Sequence, residues 1–148
     1  LAFAGFGFLG SGLAVSPPVD RVDLTTDLLR ELGLDAVVFV ARSGSFAPDA
    51  EIIARAWDLV DLAARYRTFG DQFAAIRPER GADAFAAVVS LVQEWRRFPF
   101  DDPEIPDELL PSDWPGASAK RTFDERRAAW LPPATEWYLA GEQRSTDC

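Results

Sequence analysis

From Pro48 onward, apolar residues recur at three- and four-residue steps. Ile52, Ala56, Leu59, Ala63, Tyr66, Gly70 and Phe73 form one stripe, and Ile53, Trp57, Val60 and Ala64 widen it. This is the period of an α-helix with a broad buried face. Pro48 suits a first helical turn, and Asp49 and Glu51 complement the positive end of the helix dipole. The pattern therefore predicts one long helix from Pro48 to about Phe73. Residues 76–81 (Ile-Arg-Pro-Glu-Arg-Gly) read as a turn. A second helix follows, capped by Asp83, with Phe85, Val88, Val89, Val92 and Trp95 inward, and it stops before Pro99. Residues 118–131 and 133–139 read as a third helix, kinked or broken at Pro132 and Pro133. The polar tail over 141–148 is expected to fray.

The first third of the chain follows a different pattern. Residues 13–16 are a short strand candidate closed by Pro17 and Pro18. Asp23 or Thr25 can cap a helix running to about Leu32, with Leu24, Leu28 and Leu32 on one face and Gly33 as the stop. Residues 36–41 (Ala-Val-Val-Phe-Val-Ala) are β-branched and aromatic, and their continuous apolarity predicts a strand buried on both faces. Strand, helix and strand succeed one another here, whereas the rest of the chain is helical. The fold class that follows is α+β, with a βαβ portion over residues 1–46 and a mainly helical domain over 47–148.

Between the second and third helices lies a proline-rich connector over residues 99–116. Pro99, Pro103, Pro106 and Pro111 alternate there with Asp101, Asp102, Glu104, Asp107 and Glu108. A flexible linker would be rich in Gly and Ser and poor in large apolar groups. This segment and its edge instead carry Phe98, Phe100, Ile105, Leu109, Leu110 and Trp114. An ordered extended connector is expected, pinned by these side chains and stiffened by proline. Trp114, between Pro111 and Pro115, is the expected anchor, and Trp57 is a second core anchor.

The 148 residues, 48% hydrophobic with five Trp and eleven Phe, are ample for a packed core. The net charge is −9, from 24 acidic and 15 basic residues. That balance opposes binding to a polyanion, which needs clustered Lys and Arg. No apolar run reaches the roughly 20 residues of a bilayer-spanning helix. The only cysteine, Cys148, has no partner in the chain, so no internal disulfide forms and a cytoplasmic location is expected.

The chain contains no histidine. Ser-His-Asp and Cys-His mechanisms are thereby excluded within it, and there is no phosphate-cradling glycine loop. Asp101, Asp102 and Glu104 offer oxygen ligands of the kind that bind Mg²⁺ or Ca²⁺. Their simpler reading is as caps of backbone N–H groups or partners of Arg96 and Arg97, so no metal and no enzymatic activity is expected. Arg96 and Arg97, beside Trp95, Phe98 and Phe100, admit two readings. Guanidinium forks and adjacent rings can hold an anionic, aromatic ligand. Equally, two arginines can complete a helix C-terminus. Tyr66 reads as core or as part of such a ligand cage. Arg126 and Arg127 near Trp130 read as a solvated face or a dimer contact.

Residues 102–116 read Asp-Pro-Glu-Ile-Pro-Asp-Glu-Leu-Leu-Pro-Ser-Asp-Trp-Pro-Gly. This wording closely resembles the C-terminal region of the phenylacetic-acid degradation repressors, the PaaX-like transcriptional regulators. Ala56-Trp57-Asp58-Leu59 with Tyr66 and Phe69, and Gly5-Phe6-Gly7 leading into residues 12–17, are similar to that family as well. The resemblance implies that residues 1–46 are part of a ferredoxin-like domain. It also implies that the winged-helix DNA-binding domain is absent from this chain, which would then be a fragment. The implied function is that of an effector-sensing and dimerising region. Its effector would be an aryl-acyl-CoA such as phenylacetyl-CoA, with Arg96, Arg97, Trp95, Phe98 and Tyr66 as candidate contacts. Operator DNA would be bound through the missing domain, by a homodimer. Two rivals stand beside this reading, a protein-interaction module without a ligand and a metal-assisted hydrolase using Asp101, Asp102 and Glu104.

Overall fold

The computed structural model describes residues 5–10, 12–16, 22–42, 44 and 48–146; side chains are described through 143. It is α+β, as the sequence pattern predicts, and it divides into two compact units. The first is residues 1–58 with 101–111, and the second is residues 59–100 with 112–148.

In the first unit, β1 (Gly7–Gly10) and β2 (Leu13–Val15) form a two-stranded antiparallel hairpin. Gly7 pairs with Val15, and an irregularity lies between Phe8 and Gly10. The sequence reading found β2 but not its partner β1. Helix α1 (Val22–Glu31) ends as expected at Gly33, whose φ is +64°. The Leu34 N–H reaches back to the Leu29 carbonyl at 3.0 Å, closing the helix end. Its buried residue is Leu29, whereas Leu24 and Leu32 are exposed.

The strand expected over 36–41 does not form. Val37 is 87% exposed, and Phe39 and Val40 also face solvent. A strand is stable only when its backbone donors and acceptors are paired with a neighbour. Among the described residues the sheet stops at two strands.

The long helix predicted from Pro48 is two helices, α2 (Asp49–Ala56) and α3 (Leu59–Ala75). Trp57 breaks it, with extended φ and ψ of −134° and 144°. Its indole N–H donates to the Gly5 carbonyl at 3.2 Å. Gly7 lies so close beneath that a Cβ there would sit 2.6 Å from the Trp57 ring and 2.7 Å from the Ala56 carbonyl. Trp57 thus anchors α2 to β1 within this unit, and the extended turn is what lets its ring reach the strand.

The second unit is a three-helix arrangement of α3, α4 (Gly81–Trp95) and α6 (Gly116–Thr146), with α6 packed on both partners. Helix α4 starts two residues earlier than its expected cap, so Asp83 sits in the first turn and accepts the N–H of Arg80, the residue before the helix, at 3.1 Å. The buried face of α4 is Ala84, Ala87 and Leu91, flanked by half-buried Val88 and Trp95. Phe85 and Val89, predicted inward, are exposed. Small residues win that face because they allow close approach to α6: at Gly81 a Cβ would lie 2.6 Å from Trp137 Cβ.

Helix α6 runs unbroken through Pro132 and Pro133 and on to Thr146, so neither the break nor frayed residues at 141–146 occur. Each proline removes one N–H, whose helical acceptors would be the carbonyls of Ala128 and Ala129. Both alanines are exposed, so water can serve those carbonyls while Trp130 and Ala134 stay buried. The connector holds a short helix α5 (Phe98–Asp101) and a 3-10 turn (Asp107–Leu109). Phe98 and Ile105 are buried, but Phe100 is exposed.

Candidate functional site

The core of the helical unit is aromatic. Leu62, Tyr66, Phe69 and Phe73 enter it from α3, and Leu91, Phe98 and Trp130 complete it. Tyr66 and Phe98 stack with centroids 4.1 Å apart and planes 5° from parallel. With 5% and 6% of their surfaces exposed, neither ring offers an open face to a ligand. Trp95 is half-buried and stacks on Phe123 from α6 at 4.7 Å. Trp114 is also half-buried, edge-on to Tyr66 at 6.0 Å, and packs against the core at the start of α6. Phe69 touches Phe73, Trp95 and Phe98, a central position the sequence stripe passed over. Its spacing of three from Tyr66 and four from Phe73 is the signal that would have found it.

The two arginines emerge where α4 ends. The Arg96 N–H still bonds to the Val92 carbonyl at 3.0 Å, and both side chains are exposed. Arg97 pairs with Glu94 at 2.8 Å, one turn back. The structure thus brings Trp95, Phe98 and Tyr66 into one cluster and leaves Arg96 and Arg97 on the surface at its edge. Arg126 has a use that sequence reading missed. Its guanidinium donates to the Ala74 carbonyl at 3.1 Å, satisfying the end of α3, and lies 5.8 Å from the Trp130 ring.

Asp101, Asp102 and Glu104 do not assemble into a cation site. Asp102 Oδ1 accepts the Glu104 N–H at 2.8 Å and closes a turn in which Glu104 has φ of +54°. Among the described residues, no group of three His, Cys, Asp or Glu is placed to hold a metal ion. Nor is any described helix long and apolar enough to cross a membrane. The Tyr138 phenol is perturbed. Glu142 accepts a hydrogen bond from Tyr138, and its charge adds to the effect, so the phenol is held above its usual range.

Comparison with known proteins places this architecture. The transcriptional repressor PaaX of Escherichia coli strain K12 is 33% identical over 134 residues, covering 82% of this chain and 42% of the repressor. A solved structure, the uncharacterized protein Rv0674 from Mycobacterium tuberculosis, shares the fold with a TM-score of 0.63. It is 24% identical, and the match covers 89% of this chain and 51% of that one. The chain therefore spans about half the length, or less, of the proteins it matches. Residues 57–140, which hold the aromatic core and both arginines, match the PaaX-like protein C-terminal domain, and the chain belongs to that family.

Proposed function

We propose that this chain is the regulatory part of a PaaX-like transcriptional repressor, acting in the cytoplasm as a homodimer. Operator DNA would be gripped by a winged-helix domain outside these residues, since the −9 charge opposes contact with phosphates. The observation that carries the reading is the 33% identity to a repressor across most of the chain. The effector would be an aryl-acyl-CoA, with phenylacetyl-CoA as the leading case.

The chemistry of such an effector suits the end of α4. Its phosphates call for rigid guanidinium forks, which Arg96 and Arg97 supply. The negative end of the helix dipole opposes an anion there, so both arginines are needed to outweigh it. Its aryl group calls for an aromatic slot, for which Trp95, Phe98 and Tyr66 are the candidates. Because the Tyr66–Phe98 stack is closed, the aryl group would take the place of one ring. The opened form would then bind effector and the closed form would not. That difference in affinity is what allows a ligand to shift a conformational equilibrium.

Calorimetry tests this. The chain should bind phenylacetyl-CoA more tightly than CoA alone. Arg96→Gln with Arg97→Gln should weaken binding by about 1.5–3 kcal/mol for each charge-assisted hydrogen bond removed. Unchanged affinity in a folded double variant would leave the arginines as surface residues only. No binding by the unaltered chain would remove the effector reading itself.

A further inference from the structure

The outer face of α4 is unusual for a helix surface. From Ala84 to Gln93 the helix carries no charge, and Phe85, Ala86 and Val89 on this face are exposed. Trp137 and Tyr138 of α6 extend the patch, with their rings 5.4 Å and 5.9 Å from Phe85. Both are also exposed. A helix apolar on its outer as well as its inner side is one that expects to be covered.

The charges at the two ends of α4 select the occupant. Glu79, Arg80 and Asp83 leave its start at −1, while Glu94, Arg96 and Arg97 leave its end at +1. An antiparallel copy of the same helix sets the acidic start against the basic end twice. It also opposes the two helix dipoles favourably. The six charges at the two ends of α4 sum to zero, so they add no net repulsion between two chains that each carry −9.

We propose that α4 of one chain packs antiparallel against α4 of a second copy, about a two-fold axis crossing between Ala86 and Val89. This inference deepens the homodimer reading given above and rests on it. The contact is isologous, as a two-fold dimer requires. Phe85, Val89 and Trp137 form its apolar centre, and Glu79 of each chain lies beside Arg96 of the other.

Sedimentation equilibrium of the unaltered chain and its variants tests it. Phe85→Asp should raise the dimer dissociation constant at least tenfold. Glu79→Arg and Arg96→Glu should each raise it severalfold, and the two changes together should restore it toward the unaltered value. Circular dichroism on each variant confirms that the helices are retained. A chain that is monomeric at every concentration would overturn the homodimer reading and this face with it. A dimer that persists unchanged in folded Phe85→Asp would overturn the α4 face alone. Failure of the paired charge reversal to restore association would overturn the antiparallel arrangement.

Discussion

Replacing Gly81 by Ala puts two physical effects in opposition, and the structure decides the sign. Gly81 is the first residue of α4, and alanine is ordinarily the better helix former by roughly 0.5–1 kcal/mol. The added Cβ, however, would lie 2.6 Å from Trp137 Cβ and 3.1 Å from the Pro133 carbonyl oxygen. Carbon atoms prefer about 3.5–4.0 Å, so the shortfall is about 1 Å. Both obstructing atoms are fixed to the backbone of α6, and no rotamer change moves them. The helices must part locally, an overpacking penalty of about 1–3 kcal/mol. Gly81→Ala should therefore destabilise the helical unit by about 1–2 kcal/mol after the propensity gain. Gly70 is the matched control. It lies inside α3, and a Cβ added there would meet nothing within 4 Å. Gly70→Ala should stabilise by about 0.4–1 kcal/mol. Urea unfolding followed by tryptophan fluorescence measures both, with an unchanged slope showing that the unfolding reaction is the same. A Gly81→Ala chain as stable as its parent would refute the close packing of α4 on α6.

Three further outcomes are expected. Leu91 is 0% exposed, so Leu91→Ala should cost about 2–5 kcal/mol in the same unfolding measurement. A loss under about 1 kcal/mol would mean the site collapses or is not core. Trp57→Phe keeps an aromatic ring but removes the hydrogen bond to the Gly5 carbonyl, so amide exchange in α2 should quicken by the loss of about 0.5–1.5 kcal/mol. Tyr138 should titrate above the ordinary phenol range, because its protonated form donates to Glu142 and its ionised form is repelled by it. Glu142→Gln should bring the ultraviolet titration of that tyrosine back down, and no change would separate the two residues.

Most element boundaries are written locally in the chain. Gly33 stops α1, Asp83 closes the first turn of α4, Pro99 follows its end, and residues 76–80 turn between helices, because these signals act within one or two turns of chain. The likeness carried by residues 102–116 is equally local, and it points to the family that residues 57–140 match. The features that sequence reading missed or misplaced depend on partners distant along the chain. The break at Trp57 exists because its indole reaches Gly5, fifty-two residues away. Residues 36–41 have the composition of a strand, yet a strand is made by its neighbour and not by its own side chains. On α4, apolar residues stand on both sides, so periodicity could not choose between Ala84, Ala87 and Leu91 and the bulkier Phe85 and Val89; close approach by α6 chose. The candidate ligand rings were legible as aromatic residues near two arginines. That Tyr66 and Phe98 close on each other, leaving Arg96 and Arg97 outside, follows from packing between α3 and the chain beyond α4, which no local pattern encodes.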